Sequence, residues 1–394
     1  MTQTNFQQQM AQLSPASLRA YKRIVQFMYK TGLEPGQALP PQQELRLQMK
    51  LTNDALTRAM GVLCKQGVLE RKTRLGTRVV DLAKVSPIRW TLGLANIAAP
   101  QIGPLSTFTT LAHHIQVAAA RRGWNVQTYY RFSQVKHIPH LNEFGELEQH
   151  LNDRSIDGLI MLTPLERTQW AKLVENGIPL MHGPFWETAP CGVVTDQLAL
   201  TTQAAYQLAQ AQDDQPPCSH IGVVLGDDTP HILARHTQAL ANGLALLDPS
   251  ADHEPFSSQF FCHGQSIEGG QNVAHDLLAL PASERPEGLI VLDDYIALGM
   301  TQVLSSAVDA QGQSYHPRIA VQTNREILQN FHLPVIRFEV NLSDMAGLLV
   351  QGIAERLLNP SIPQAVKLVT PKASKVSDSP FAATQAYTAT SQLL

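Results

Sequence analysis

The side chains best suited to chemistry in this chain gather near its N-terminus. Asn53, Asp54, Thr57, Arg58 and Lys65 are the polar positions of a stretch whose apolar residues, Ala55, Leu56, Ala59, Met60 and Leu63, recur at helical spacing. An amide and a guanidinium at the start of such a helix are groups that hydrogen-bond base edges in the major groove. Asn53, Thr57 and Arg58 are therefore candidate base contacts, with Gln43 near the mouth of the groove. Arg71, Lys72, Arg74 and Arg78 follow within a short basic segment, the composition needed to lie along phosphates.

The elements that must position these groups can be read around them. A turn (residues 32–40) leads into a short helix (41–49), then a tight turn and a second helix (53–66). Thr52 suits the N-cap of that second helix, and Gly67 suits a left-handed stop. Val68 and Leu69 begin a strand, the basic residues sit near a hairpin tip, and a second strand closes the unit by residue 80. Two short helices joined by a tight turn place the second helix in the major groove. Upstream, Ser14-Pro15 is a good helix start, and Leu18, Tyr21, Val25 and Met28 mark the apolar face of a bracing helix. Residues 1–13 are expected to be disordered.

A chain of 394 residues exceeds one ordinary domain. Its net charge of −3 hides an asymmetry. Residues 1–85 hold 13 Lys and Arg against 5 Asp and Glu, a net +8, whereas the remainder holds 17 against 28, a net −11. A basic head on an acidic body is the footprint of a nucleic-acid-binding domain joined to one that should avoid nucleic acid. No run is long and apolar enough to cross a bilayer, and the N-terminus lacks a signal-peptide layout, so the cytoplasm is expected. Cys64, Cys191, Cys218 and Cys262 are scattered and read as buried free thiols. His113-His114 point to different helix faces, and Pro139 disfavours a helix that would align His137-x-x-His140, so no metal and no cofactor is expected. Gly269-Gly270 reads as a turn or helix irregularity, and no phosphate loop or nucleophile elbow occurs.

Residues 81–89 carry no period and contain Pro87, which makes them a short linker across which two domains can couple. From Trp90 onward short apolar runs alternate with helical stretches, which implies parallel sheets covered by helices, in two α/β lobes. Ligands of such sheets bind beyond the carboxyl ends of the strands. That rule selects Asn96 to Gln101, His182 to Trp186, Gly226 to Asp228, Asp293 with Asp294, and Thr323 with Asn324. One of Asp293 and Asp294 is expected to accept from a ligand and the other to cap the helix that follows. Phe185 and Trp186 could stack on an apolar ligand face or belong to the core.

Two resemblances organise these observations. Residues 15–80 resemble the winged-helix domain of GntR-type bacterial transcription regulators, through the Gly32-to-Pro40 run, Glu44-Leu45, the Thr52-to-Leu56 turn and Gly76-Thr77-x-Val79. That family usually carries Arg or Lys where Gln43, Asn53 and Thr57 stand, and commonly Gly at Arg74. Residues 90–371 resemble the effector domain of LacI/GalR-type regulators, itself similar to periplasmic sugar-binding proteins. The likeness rests on Leu92-Gly93-Leu94, the 156–160 run Ile-Asp-Gly-Leu-Ile followed by Gly177-Ile178-Pro179, Val194-Thr195-Asp196, the 220–223 run His-Ile-Gly-Val, and Asp293-Asp294 with Ala297-Leu298-Gly299.

The expected fold is thus an N-terminal winged helix-turn-helix (residues 14–80), a linker (81–89) and a C-terminal α/β two-lobed, periplasmic-binding-protein-like domain (90–371). Its two Rossmann-like parallel-sheet lobes are expected to be joined by three crossovers, with a tail over 372–394. The second resemblance implies a cleft closing on a small polar effector, a sugar among the common ones. It aligns Arg235 with an Arg that binds ligand hydroxyls, puts Asp293 in place of an Asn, and aligns Asn324 with a ligand-binding Asp. Arg235 could equally be a surface helix Arg. The reading is a ligand-responsive regulator, a repressor, that binds double-stranded operator DNA as a homodimer on an inverted repeat. The alternative is a sensor whose head, lacking the usual arginines, contacts a protein partner. No nucleophile–base pair supports an enzyme.

Overall fold

The computed structural model describes residues 13–72, 76–85, 89–97, 107–131, 138, 140–184, 190–211, 216–226, 229–247, 259–309, 311–327, 329–359 and 362–374. The disorder expected for residues 1–13 falls, but for Leu13, outside them.

Helix α1 (Pro15–Lys30) begins where the Ser14 hydroxyl accepts from the Ser17 amide at 3.2 Å. Helices α2 (Gln42–Gln48) and α3 (Asn53–Lys65) follow, and Thr52 caps α3 by accepting from the Ala55 amide at 3.3 Å. At the other end of α3, Gly67 takes φ +73° and the Val68 amide returns to the Leu63 carbonyl at 3.0 Å. That left-handed stop turns the chain into strand β1 (Leu69–Lys72), antiparallel to β2 (Gly76–Val79). The turn before α2 joins this hairpin, since the Leu39 amide donates to the Thr77 carbonyl at 2.8 Å. Tyr21, Ile24, Val25 and Met28 of α1 and Leu56, Ala59, Met60 and Leu63 of α3 are buried together in the core of this head.

The body is two six-stranded sheets. Lobe 1 contains β3 (Thr91–Ile97), β4 (Asn125–Arg131), β5 (Gly158–Met161), β6 (Leu180–His182), β7 (Gly192–Thr195) and β13 (Val366–Val369). Its order is β13-β7-β6-β5-β3-β4, with every pair parallel. Lobe 2 contains β8 (Ile221–Leu225), β9 (Gln259–Cys262), β10 (Gly288–Val291), β11 (Arg318–Asn324), β12 (Val335–Val340) and β14 (Lys372–Ala373). Its order is β14-β12-β11-β10-β8-β9, and β14 alone runs antiparallel. Strands β5, β8 and β10 are buried at every residue, as strands covered on both faces must be.

Helices α4 (Thr107–Arg121), α5 (Leu147–Asn152), α6 (Arg167–Glu175) and α11 (Leu342–Leu358) serve lobe 1. Helices α7 (Gln197–Leu208), α8 (Pro230–Ala245), α9 (Ile267–Ala279) and α10 (Asp294–Leu304) serve lobe 2. The chain passes between lobes three times: from β7 into α7, from β12 into α11, and from β13 into β14. One apolar core runs without a break from the head into lobe 1, whereas the two faces of the lobe 2 sheet form separate clusters.

Four expectations need correction. The body does not end at residue 371, because Lys372–Ala373 pairs with β12 and the Ser374 amide donates to the Arg337 carbonyl at 3.0 Å. Of the two readings of Gly269-Gly270 the turn fails and the helical placement stands: both lie in α9, where Gly270 lets the backbone of α10 come close. The linker is partly built, with Asp81 capping a 3-10 turn over Leu82–Lys84. Of the four free thiols, Cys191 and Cys218 are buried but Cys64 and Cys262 are half-exposed. Among the described residues no helix is long and apolar enough to cross a membrane.

Candidate nucleic-acid interface and effector cleft

In the head, Asn53, Thr57 and Arg58 project from the exposed face of α3, and Gln43 is exposed on α2. Helical spacing sets them there, because Ala55, Leu56, Ala59 and Met60 must turn inward. The residue that engages this surface is Gln42, not its neighbour. Gln42 Nε2 donates to Thr57 Oγ1 at 2.7 Å and to Asn53 Oδ1 at 3.2 Å. Arg58 Nε donates to Asp54 Oδ1 at 3.0 Å, one helical turn back, and both side chains are largely exposed. The groups able to read bases are thus held by short polar partners in the free protein.

On the wing, Arg71 and Lys72 are exposed. The Lys72 ammonium pairs with Glu70 at 3.1 Å, and Arg71 leans back on the Met60 sulfur at 3.9 Å. Arg78 is half-buried opposite Glu70, and its Nε makes no hydrogen bond among the described residues. Arg74 lies outside the described residues.

In the body, strand order reverses between β3 and β5 in lobe 1 and between β8 and β10 in lobe 2. The carboxyl ends beside these switch points are where a ligand of this architecture binds. Asn96 sits at the end of β3, and Thr323 with Asn324 at the end of β11. All three are buried, and Asn96 Oδ1 and Thr323 Oγ1 have no hydrogen-bond partner among the described residues. Asn324 Nδ2 donates to Thr107 Oγ1 at 2.9 Å and to Asp294 Oδ2 at 3.3 Å. Thr107 opens α4 of lobe 1, so this amide bridges the lobes.

The acid pair divides its roles. Asp293 Oδ1 caps α10, accepting from the Tyr295 amide at 2.9 Å and the Ile296 amide at 3.1 Å. The helix therefore starts at Asp294, and Asp294, 3% exposed, is the carboxylate turned toward Asn324. Burial, and then the neighbouring Asp293 charge, push the Asp294 carboxyl up to about 7. Of the pair expected to divide into one cap and one ligand contact, Asp293 is thus the cap through Oδ1.

His182 is not open to the cleft. It is fully buried on β6 with its ring edge-on to Trp170 at 5.2 Å, and burial lowers its pKa to about 4, so it stays neutral. Arg235 is half-buried near the start of α8. Gln101, Phe185 and Trp186 lie outside the described residues. The sequence did not single out Gln42 or Thr107. The available signal for each was position, one at the first residue of the helix before α3 and the other at the first residue of the helix following β3.

Comparison with known proteins accords with this geometry. Residues 16–79 match the family described as bacterial regulatory proteins, gntR family. No curated protein sequence matches the chain. Among solved structures, a putative LacI transcriptional regulator from Bacillus cereus subsp. cytotoxis NVH 391-98 is 18% identical, with TM-score 0.54 over 72% of this chain and 96% of that one. The Cra transcriptional dual regulator from Pseudomonas putida, solved with fructose 1-phosphate, is 16% identical, with TM-score 0.53 over 72% and 98%. A lac repressor dimer bound to operator and an anti-inducer is 13% identical, with TM-score 0.52 over 73% and 93%. These three neighbours are transcriptional regulators. Residues 16–79 thus match the gntR family and fold as a winged helix, and the chain joins them to a body that shares the two-lobed fold of these LacI-family structures.

Proposed function

We propose that this protein is a ligand-responsive transcription regulator, a repressor, that acts in the cytoplasm. Its winged helix binds operator DNA as a homodimer on an inverted repeat, and its cleft binds a small polar effector, a sugar. The observation that carries this reading is the Thr107–Asn324–Asp294 contact between lobes, together with the buried polar atoms of Asn96 and Thr323 at the carboxyl ends of β3 and β11. Buried polar groups without partners are costly, and a ligand rich in hydroxyls would satisfy them. A ligand that binds one lobe arrangement better than the other biases the orientation of the heads by that difference. Base contacts come from Asn53, Thr57 and Arg58, with Gln43 near the groove, and Arg71, Lys72, Arg74 and Arg78 serve phosphates. Arg235 and residues Gln101, Phe185, Trp186 and Asn324 contribute to the effector site.

The test is selection of genomic fragments by the purified protein at near-physiological salt, with and without a sugar mixture. Enrichment of an inverted repeat that the mixture alters is the expected result. A second reading is favoured by one observation: Gln42 and Asp54 already occupy Asn53, Thr57 and Arg58. On that reading the head contacts a protein partner. Absence of enrichment both with and without sugars would favour it.

A further inference from the structure

Lys22 is out of place for a lysine. It lies on α1 at 7% exposure, and long charged side chains are almost never buried unless paired. Its partner is not in the head. Lys22 Nζ donates to Asp157 Oδ2 of lobe 1 at 2.5 Å and stands 5.1 Å from the Trp90 ring centroid. Asp157 Oδ2 also accepts from the Thr91 amide at 2.8 Å, and the Asp157 amide donates to the Thr91 carbonyl at 2.8 Å. One carboxylate thus ties the first helix of the head to the first strand of the body.

The surroundings decide what this tie does. Helix α1 packs on α11, and the apolar core continues from α1 and α3 through Leu82, Val85 and Trp90 into lobe 1. Against that attraction, burial and then the Arg154 and Arg19 charges lower the Arg23 pKa, so the Arg23 guanidinium of the head is repelled by Arg154 of lobe 1. Arg23 and Arg154 are each anchored to a carbonyl on their own side, Met49 and Asn176 respectively. Among the described residues this buried pair is the ion pair that crosses the seam, and removing one member of such a pair leaves an uncompensated charge.

We infer that Lys22 and Asp157 are positioning residues that dock the winged helix on lobe 1, so that head and lobe 1 move as one body while lobe 2 moves against them. The described linker residues 81–85 are then a strap held at Leu82 and Val85 and not a free tether. A signal from the cleft would reach DNA as a change in how two head–lobe 1 units are set in a dimer. That regulatory meaning rests on the regulator reading above, whereas the docking does not.

The experiment is hydrogen–deuterium exchange on the full-length protein, free of DNA, with Asp157→Asn, Lys22→Met and the double variant. Asp157→Asn keeps an acceptor for the Thr91 amide and removes the charge. Each single variant is expected to speed exchange across residues 81–92 at least tenfold and to split melting of the head from that of lobe 1. The double variant leaves no buried charge unpaired and is expected to fall short of the sum of the singles. Exchange within twofold of wild type in both singles would overturn the docking. If Lys22→Met does not fold, Asp157→Asn with Lys22→Gln carries the same comparison. Loss of DNA selection by the wild-type protein would instead sink the regulator reading and leave the exchange result standing.

Discussion

Asn324 and Thr107 lie 217 positions apart in sequence, yet the amide of one donates to the hydroxyl of the other at 2.9 Å, across the two lobes. A neutral hydrogen bond of this kind contributes about 0.5–1.5 kcal/mol net. Thr107→Val removes it with little change of shape, and should shift the open–closed balance toward open by roughly 2- to 13-fold. Small-angle scattering of the ligand-free protein checks this through a larger radius of gyration. An unchanged radius would mean that lobe packing, not this bond, sets the closure.

Asp294 predicts a pH dependence whose sign can be worked out. Its folded carboxyl holds the proton up to about 7, against an ordinary value of 3.8. Between those values the unfolded chain binds fewer protons than the folded one, so this group's stabilisation is full below about pH 4, falls as pH rises, and levels off above about 7. Asp294→Asn cannot ionise and keeps an acceptor for Asn324. It should match wild type near pH 4 and exceed it at pH 8 by on the order of 1–3 kcal/mol. Thermal unfolding at the two pH values is the check, and an equal difference at both would assign the effect to packing.

What was legible in the sequence is what local rules determine. Ser14 and Thr52 cap helices, Gly67 ends one, and the fully apolar runs of β5, β8 and β10 are buried strands. What was not legible depends on partners far along the chain. Lys22 reads as one polar position of an amphipathic helix until Asp157 arrives from lobe 1. Strand β14 is two residues long and exists because β12 offers an edge. Gln42 and Gln43 are chemically identical, and the helix phase alone decides which reaches Thr57. In α9, two glycines argued against a helix by propensity, and contact with α10 overrode it.

Arg58 offers a test at the recognition helix. Its pair with Asp54 is exposed on both sides, and exposed pairs contribute only a few tenths of a kcal/mol, so DNA can recruit the guanidinium. Arg58→Ala should weaken specific binding by about 1–3 kcal/mol. Asp54→Asn removes a carboxylate from the face proposed to meet DNA and should tighten binding, most at low salt. Binding isotherms across a salt series separate the two. Unchanged affinity in Arg58→Ala would take that residue out of the base contacts.

The same substitution should have opposite signs at two helical glycines. A Cβ built on Gly299 of α10 would stand 1.9 Å from the Ile267 carbonyl oxygen, and one on Gly270 of α9 would stand 2.0 Å from that of Ile296. The two backbones touch, and neither carbonyl can rotate away as a side chain would. Gly299→Ala should therefore force α9 and α10 apart and cost about 1–3 kcal/mol or more. Gly347 lies inside α11 with nothing within 4 Å of where its Cβ would be. There alanine gains helix propensity without a clash, and Gly347→Ala should stabilise by roughly 0.5–1 kcal/mol. Denaturant unfolding of both variants under one set of conditions decides it. A neutral Gly299→Ala would mean that the α9–α10 crossing is looser than the backbone distances imply, and a destabilising Gly347→Ala would mean that another surface closes over α11.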